Sequence, residues 1–141
     1  MRTFVIDTNI MISALIRDGL TRFLLTNYIA NYIFFDYGLE EIYRYKDLIV
    51  KKSGMNFREF DIVLLRLLKY VRLVPLKMLE EFGEEAYDII GDIDEKDVVF
   101  VSAALKFDCP IWSDDKHFEK QKRIKVLKTG DVYSEYKNEI N

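Results

Sequence analysis

The sequence predicts an α/β domain in which helices cover both faces of a mainly parallel sheet. Short apolar runs of strand length alternate with longer segments whose apolar residues recur at helical spacing. This alternation favours parallel strands, because a helix is the usual connection between them. At 141 residues the chain fits a single domain, residues 1–141, and no repeat, low-complexity segment or linker divides it.

The first half of the chain contains two predicted strands and three predicted helices. In chain order we expect a strand over 3–6, a helix over 20–32, a strand over 33–35, a helix over 39–52 and a helix over 56–68. Both strands are apolar runs stopped by an acid, Asp7 after the first and Asp36 after the second. The helices carry apolar residues three and four positions apart, and Asn56 is a suitable cap for the last of them.

The second half continues the alternation. We expect a strand over 71–76 that is broken at Pro75, helices over 78–90 and 94–107, strands over 110–112 and 124–127, and a terminal helix from about Gly130. Gly91 closes the first of these helices. The whole chain therefore supplies a sheet of four to five strands.

Cysteine content and the lengths of the apolar runs narrow the class of protein. Cys109 is the only cysteine, so no internal disulfide can form, as is typical of a protein in a reducing cytoplasm. At the N-terminus an acid follows only three apolar residues, which excludes a secretory signal. No apolar run approaches the roughly 18 residues that span a bilayer. We expect a cytoplasmic protein with no membrane partner.

Carboxylates are concentrated where predicted strands end and predicted helices begin. They are Asp7 after the first strand, Asp114 and Asp115 after the fourth, Asp94 and Asp97 in the first turn of one helix, and Glu40 and Glu41 in the first turn of another. Ligands of parallel α/β folds bind beyond the carboxyl ends of the strands. We therefore expect these acids to meet at one edge of the sheet.

Each acid has a simpler explanation when it is taken alone, because acids commonly cap helices and favour their first turn. Four carboxylates in one place would repel one another, and a divalent cation would remove that repulsion. Mg²⁺ and Mn²⁺ prefer oxygen ligands, whereas zinc sites need His or Cys groups. The sole histidine, His117, is expected to be solvated. Bound cations would also offset the formal net charge of −3, which otherwise disfavours a nucleic-acid partner.

These residues resemble the PIN-domain family of nucleases. The resemblance extends from Thr3 to about Leu127 and is carried by four segments: Val5-Ile6-Asp7-Thr8-Asn9, Glu40-Glu41-Ile42, Asp94-Glu95-Lys96-Asp97 with the helix after it, and Ser113-Asp114-Asp115-Lys116-His117-Phe118. An acid that opens an alanine-containing helix, followed about 18 residues later by the Ser-x-Asp-Lys-x-Phe turn, is the most specific of these features.

The resemblance implies a three-layer α/β/α fold and an endoribonuclease that depends on Mg²⁺ or Mn²⁺. The catalytic and metal-binding acids would be Asp7, Glu41, Asp97 and Asp115. Supporting polar groups and secondary acids would be Thr8, Asn9, Glu40, Asp94, Ser113 and Asp114. Helical geometry does not separate Glu40 from Glu41, since both flank the apolar side of their helix. Hydrolysis of the RNA phosphodiester would use a water activated by the metal.

The resemblance also bears on partners. Many small members of the family are toxins of toxin–antitoxin pairs and form dimers, which implies an antitoxin protein and a homodimer beside the RNA substrate. The alternative is a PIN-like module that binds RNA or protein without cutting, as in a scaffold for RNA processing. Intact acids at all four positions favour the enzyme.

Two features are candidate RNA contacts, although a solvated surface explains the charges equally well. One is the basic segment after the last acid, containing Lys116, Lys120, Lys122, Arg123 and Lys125; Lys51, Lys52 and Arg58 form a second basic cluster. The other is a group of tyrosines near the second acid, Tyr37, Tyr43 and Tyr45, which are candidates for RNA or dimer contacts.

Overall fold

The structure, a computed structural model that describes residues 1–141, is built around a five-stranded sheet in which every pair is parallel. The strands are β1 (Thr3–Ile6), β2 (Asn31–Phe35), β3 (Val71–Val74), β4 (Ile111–Trp112) and β5 (Val126–Leu127). Their order across the sheet is β3-β2-β1-β4-β5, and helices flank the sheet. The predicted α/β/α fold with a parallel sheet is confirmed.

Eight α-helices connect or follow the strands. They are α1 (Thr8–Ile16), α2 (Leu20–Asn27), α3 (Tyr37–Arg44), α4 (Lys46–Ser53), α5 (Phe57–Leu68), α6 (Gly83–Ala86), α7 (Val98–Phe107) and α8 (Thr129–Ile140). Short 3₁₀ segments cover Leu76–Phe82, Glu95–Asp97 and Lys116–Lys120, and a π-turn covers Tyr87–Gly91. No helix is both long enough and apolar enough to cross a membrane.

Helix α1 is absent from the sequence prediction, which has no element between Asp7 and Leu20. Its residues are apolar on almost every side, with Ile10, Met11, Ala14 and Leu15 all buried. Only Asn9 and Ser13 of this helix are exposed, so its polar side is narrow and the amphipathic period that marks a surface helix is weak. Asp7 caps this helix, in agreement with the capping role that acids at such positions commonly have.

Two predicted helices are broken in the structure. The helix expected over 39–52 is α3 and α4, separated at Tyr45, whose N–H contacts the carbonyls of both Glu41 and Ile42. The helix expected over 78–90 is a 3₁₀ segment, the four-residue α6 and the π-turn in succession. Apolar periodicity alone does not distinguish one continuous helix from several short turns that share a buried side.

Strand order explains why the chain can assemble a site at the middle of the sheet. From β1 the chain runs outward through β2 and β3, and it then crosses to the other side of β1 to form β4 and β5. The crevice between β1 and β4 is therefore a switch point, the usual ligand position in such folds. Ile6 pairs with Trp112, so Asp7 and Ser113 leave the sheet side by side.

Two glycines permit local geometry that other residues would not. A Cβ built at Gly38 would lie 2.4 Å from the ring of Phe34, so α3 packs directly on the β2 side chain. Gly54 has φ +76° and ends α4 in the left-handed conformation. Both positions fix how the α3–α4 segment lies over the sheet.

Candidate active site

A pocket of about 340 Å³ collects acids from four separate segments of the chain. Asp7, Glu41, Asp97 and Asp115 all line it, together with Asp94. Asp7 follows β1 and Asp115 follows β4, which places the pocket at the switch point of the sheet. The structure thus brings together the four acids that the sequence singles out.

Asp7 is held from two sides and is only 3% exposed. Its Oδ1 accepts the Ile10 N–H at 2.9 Å, and its Oδ2 accepts a hydrogen bond from the Ser113 hydroxyl. Burial raises the pKa of Asp7 to about 6, the two hydrogen bonds lower it, and the charges of Asp115 and Asp114 raise it slightly. Asp7 is therefore both a helix cap and a buried, fixed carboxylate.

Ser113 connects the first and last acids. Its hydroxyl donates to Asp7 and accepts the Asp115 N–H at 3.0 Å, and the residue is 1% exposed. Asp115 in turn caps the 3₁₀ segment after β4, where its Oδ1 accepts the His117 N–H at 2.9 Å. This chain of hydrogen bonds fixes two carboxylates from adjacent strands relative to each other.

Asp97 is a buried acid with one oxygen that receives no hydrogen bond to offset its burial. It is 7% exposed, and its Oδ2 is buried without a hydrogen-bond partner. Burial raises the pKa of Asp97 to about 7, and the charges of Asp94, Asp115 and Asp7 add to the effect. The hydroxyl of Thr8, which lines the same pocket, is also buried without a partner. Such groups are costly unless something else binds them.

His117 is exposed, as expected from the sequence, but its ring also lies beside two acids of the pocket. Its Nδ1 lies 3.1 Å from Asp94 Oδ2 and 3.7 Å from Asp115 Oδ1. Ligand atoms of His117, Asp94 and Asp97 all fall within 4.8 Å of one another. Only the position of His117 two residues after Asp115 hinted at this, since Asp94 is 23 positions away in the chain.

Asp94 and Asp114 have separate contacts. Asp94 caps the 3₁₀ segment before α7 by accepting the Lys96 N–H at 3.0 Å, and it still lines the pocket. Asp114 lies outside the pocket, where it accepts the Thr129 N–H at 2.8 Å and the Thr129 hydroxyl at 2.6 Å. The same hydroxyl accepts the indole N–H of Trp112 at 3.0 Å, so Asp114 holds α8 against β4.

The two adjacent glutamates differ in position. Glu41 is half-buried and lines the pocket, whereas Glu40 is exposed and does not. Among the polar neighbours proposed from sequence, Thr8 and Asn9 also line the pocket. Helical spacing does not distinguish the two glutamates. The direction in which α3 packs on β2 places Glu41, and not Glu40, at the pocket.

The donor set fits a divalent cation that prefers oxygen. The lining acids supply carboxylate oxygens, and the unpartnered Asp97 Oδ2 lacks the hydrogen bond that a buried oxygen normally has. Cys109 lines a different cavity, so thiolate coordination is not offered. Ligand atoms converge within 4.8 Å only for Asp94, Asp97 and His117, whereas Asp7, Glu41 and Asp115 line the same pocket around them. Mg²⁺ commonly uses one or two carboxylates together with several waters.

The basic residues of the molecule fall into two groups relative to this pocket. The predicted RNA-binding residues Lys116, Lys120, Lys122, Arg123 and Lys125 do not line it. Arg123 pairs with Glu85, which lies in the short helix α6. Lys52 and Lys96 do line the pocket.

Comparison with known proteins agrees with this architecture. A family model described as PIN domain matches residues 5–132. A solved chain from the crystal structure of VapBC2 from Rickettsia felis bound to a DNA fragment from their promoter aligns with a TM-score of 0.60 and 14% identity, covering 89% of this chain and 98% of that chain. At this identity the likeness concerns the fold. No curated protein matches the chain significantly.

Proposed function

Because this chain belongs to the PIN-domain family, whose members are nucleases that generally use divalent metals, we propose that it is a Mg²⁺- or Mn²⁺-dependent endoribonuclease. The observation that carries the proposal is the buried Asp97 oxygen without a partner, set among Asp7, Glu41 and Asp115 in one pocket. The nuclease domain comprises residues 1–141.

The chain's own residues would hold the cation and orient the substrate. Asp7, Asp97, Asp115 and Glu41, which all line the pocket, would supply the carboxylate ligands. Ser113 fixes the Asp7 carboxylate, so that this ligand needs no reorganisation when a cation binds. Because the pKa of Asp97 is raised to about 7, cation binding at neutral pH also displaces a proton from this acid.

A divalent cation in such a site lowers the pKa of water and neutralises charge on the phosphoryl oxygens. No Ser or Cys nucleophile is required: Ser113 is already engaged by Asp7 and Asp115, and Cys109 lies away from the pocket. Phe100 and the α1 side chain Ile12 also line the pocket and give it an apolar side. The expected products carry 5′-phosphate and 3′-hydroxyl ends.

The proposal extends to location and partners. We place the protein in the cytoplasm, where its single, partly buried Cys109 would stay reduced. An antitoxin partner is proposed from the family and is supported by the fold that the chain shares with a chain of the VapBC2 structure. A homodimer is proposed from the resemblance to the family alone. RNA is proposed as the substrate on the same family basis.

The deciding experiment is a cleavage assay on a mixed pool of single-stranded RNA in Mn²⁺ or in EDTA. We expect products with Mn²⁺ only, and a loss of at least about 100-fold in Asp97→Asn, which removes a charged ligand at the centre of the pocket. Asp92→Asn, an exposed acid nearby in sequence, is the matched control and should cleave normally. RNA binding without metal-dependent products would instead indicate a non-catalytic module.

A further inference from the structure

The acids form only part of the pocket, and most of the remaining lining comes from two helices in contact with each other, α1 and α4. Along α1, Thr8, Ile12 and Ile16 line it at intervals of four residues, which places them on one side of that helix. Along the other wall, Tyr45 stands at the start of α4, and Leu48 and Lys52 follow at intervals of three and four. The acid cluster is therefore continuous with an apolar wall.

This apolar wall is exposed. Tyr45 is 42% exposed and Leu48 is 46% exposed, whereas Ile49 of the same helix is fully buried and anchors α4. Tyr43 packs against Phe60 and the Lys46 ammonium, but Tyr45 forms no aromatic or cation–π pair. A cation and a phosphate group would not use this surface. The wall can bind something flat and apolar that enters beside them.

Two lysines complete the lining. Lys52 lies one turn beyond Leu48 on α4, and Lys96 lies between Asp94 and Asp97. Lys46, at the start of α4, forms an ion pair with Asp61. Neither Lys52 nor Lys96 forms an ion pair. Unpaired cations around an acidic pocket favour a ligand that carries phosphate.

We propose that the apolar wall of Tyr45, Leu48, Ile12 and Ile16 binds one unstacked nucleobase next to the scissile phosphate, and that Lys52 and Lys96 bind the flanking backbone. Tyr45 supplies the stacking surface. A base inside a duplex is stacked and paired, so the pocket selects unpaired nucleotides. The inference rests on the proposed nuclease function and adds to that site a base-binding subsite formed by these residues.

The break between α3 and α4 is what makes this wall available. Glu41, which lines the acid part of the pocket, lies one turn before Tyr45 in α3. Tyr45 has φ −95° and ψ 11°, outside the helical values of its neighbours, and α4 starts after it and packs against α1. The same break therefore positions an acid on one side and a stacking ring on the other.

The test compares two ligands that differ only by a base. Adenosine 5′-monophosphate and ribose 5-phosphate are titrated by NMR into the full chain, once with Mg²⁺ and once with EDTA. Neither contains a phosphodiester bond, so nothing is hydrolysed. We expect wild type to bind adenosine 5′-monophosphate about 10-fold tighter than ribose 5-phosphate, within the fivefold to hundredfold span that aromatic stacking produces.

Two pairs of variants assign the effect. Tyr45→Ala should abolish the preference for adenosine 5′-monophosphate, while Tyr70→Ala, a tyrosine of similar exposure outside the pocket, should retain it. Lys52→Ala should weaken the binding of both ligands several-fold, and Lys69→Ala should weaken the binding of neither, because the exposed Lys69 does not line the pocket. Circular dichroism of each variant confirms that the fold is intact.

Equal affinities of wild type for the two ligands would overturn the proposal, as would no binding of either, or a preference that survives in Tyr45→Ala. Failure of the nuclease proposal has a different signature, namely RNA that stays uncut in Mn²⁺. A protein that prefers adenosine 5′-monophosphate through Tyr45 but does not cleave RNA would support the base-binding site and contradict the nuclease proposal.

Discussion

Asp7 and Asp97 both lie in the pocket, but their surroundings differ in one respect. Asp7 is compensated by two hydrogen bonds, one from the backbone of Ile10 and one from Ser113. Asp97 has an oxygen that receives nothing, and its pKa is raised further, to about 7 against about 6 for Asp7. The protein therefore stabilises the negative charge of Asp97 less than that of Asp7.

This difference predicts a pH-dependent stability. The pKa of Asp97 is about 7 in the folded chain and near 3.8 when unfolded, so the folded state holds the proton more tightly. Its contribution is therefore fully present below pH 4 and is lost as the pH rises to about 7. In EDTA, Asp97→Asn should unfold at a temperature several degrees above wild type at pH 8, corresponding to roughly 1–3 kcal/mol.

The check is thermal unfolding in EDTA at pH 4 and pH 8. The gain of Asp97→Asn over wild type should shrink at pH 4, where both side chains are uncharged. Asp92→Asn, an exposed acid, should show no gain at either pH. A wild type that equals or exceeds Asp97→Asn at pH 8 would contradict the assignment of burial as the cause.

A second prediction at the residue scale concerns the adjacent glutamates. Glu41→Gln removes a carboxylate that lines the pocket, so we expect weaker Mn²⁺ binding and at least about 10-fold slower RNA cleavage. Glu40→Gln removes an exposed carboxylate outside it and should leave both unchanged. Calorimetric titration with Mn²⁺ and the cleavage assay measure the two effects. The reverse ranking would assign the second acid to Glu40.

At the scale of elements, the segment from β2 to α4 decides how the pocket closes. Gly38 lets α3 lie directly on the Phe34 ring, and the break at Tyr45 then turns α4 toward α1. Gly54 ends α4 with a positive φ. The packing of α3 at Gly38 therefore also sets the position of Glu41, which is three residues further along the same helix.

Gly38→Ala tests this element directly. The added Cβ would meet the buried Phe34 ring at 2.4 Å, so either the ring or α3 must move. We expect a loss of roughly 1–3 kcal/mol in the free energy of unfolding, as for other overpacked sites. Urea denaturation measures it. Gly83→Ala is the matched control, since a Cβ there has no atom within 4 Å, and it should be neutral or slightly stabilising.

At the scale of the whole molecule, strand order controls which residues meet. The order β3-β2-β1-β4-β5 makes β1 and β4 neighbours although more than 100 residues separate Asp7 from Ser113. It also brings His117 to Asp94. These contacts depend on the crossover from β3 to β4, which no local pattern encodes.

The same distinction explains which elements were predictable. The strands and the helices α5, α7 and α8 have local signals, namely apolar runs, helical periods and caps. Helix α1 has only a weak signal, because Asn9 and Ser13 are its only exposed residues. The split at Tyr45 also has no local signal, because apolar spacing continues across it.

Some features of the candidate site could likewise be predicted from the sequence, and others depend on tertiary structure. That acids stand at strand ends and helix starts could be inferred from their neighbours in the chain, and Asp7, Glu41, Asp97 and Asp115 do share one pocket. Asp114 has the same kind of sequence position, yet it binds Thr129 instead. Adjacent residues after a strand point to opposite sides, so only one member of the Asp114–Asp115 pair can face the crevice.

The amino-acid sequence by itself determined the α/β class, the parallel sheet and the acids available at its edge, because these follow from spacing along the chain. Tertiary structure decided strand order, the turn at Tyr45 and the choice of Glu41 over Glu40 as a lining residue. These features depend on how side chains distant in sequence pack together. The physical reason is that periodicity records which side of an element is buried, but not which partner buries it.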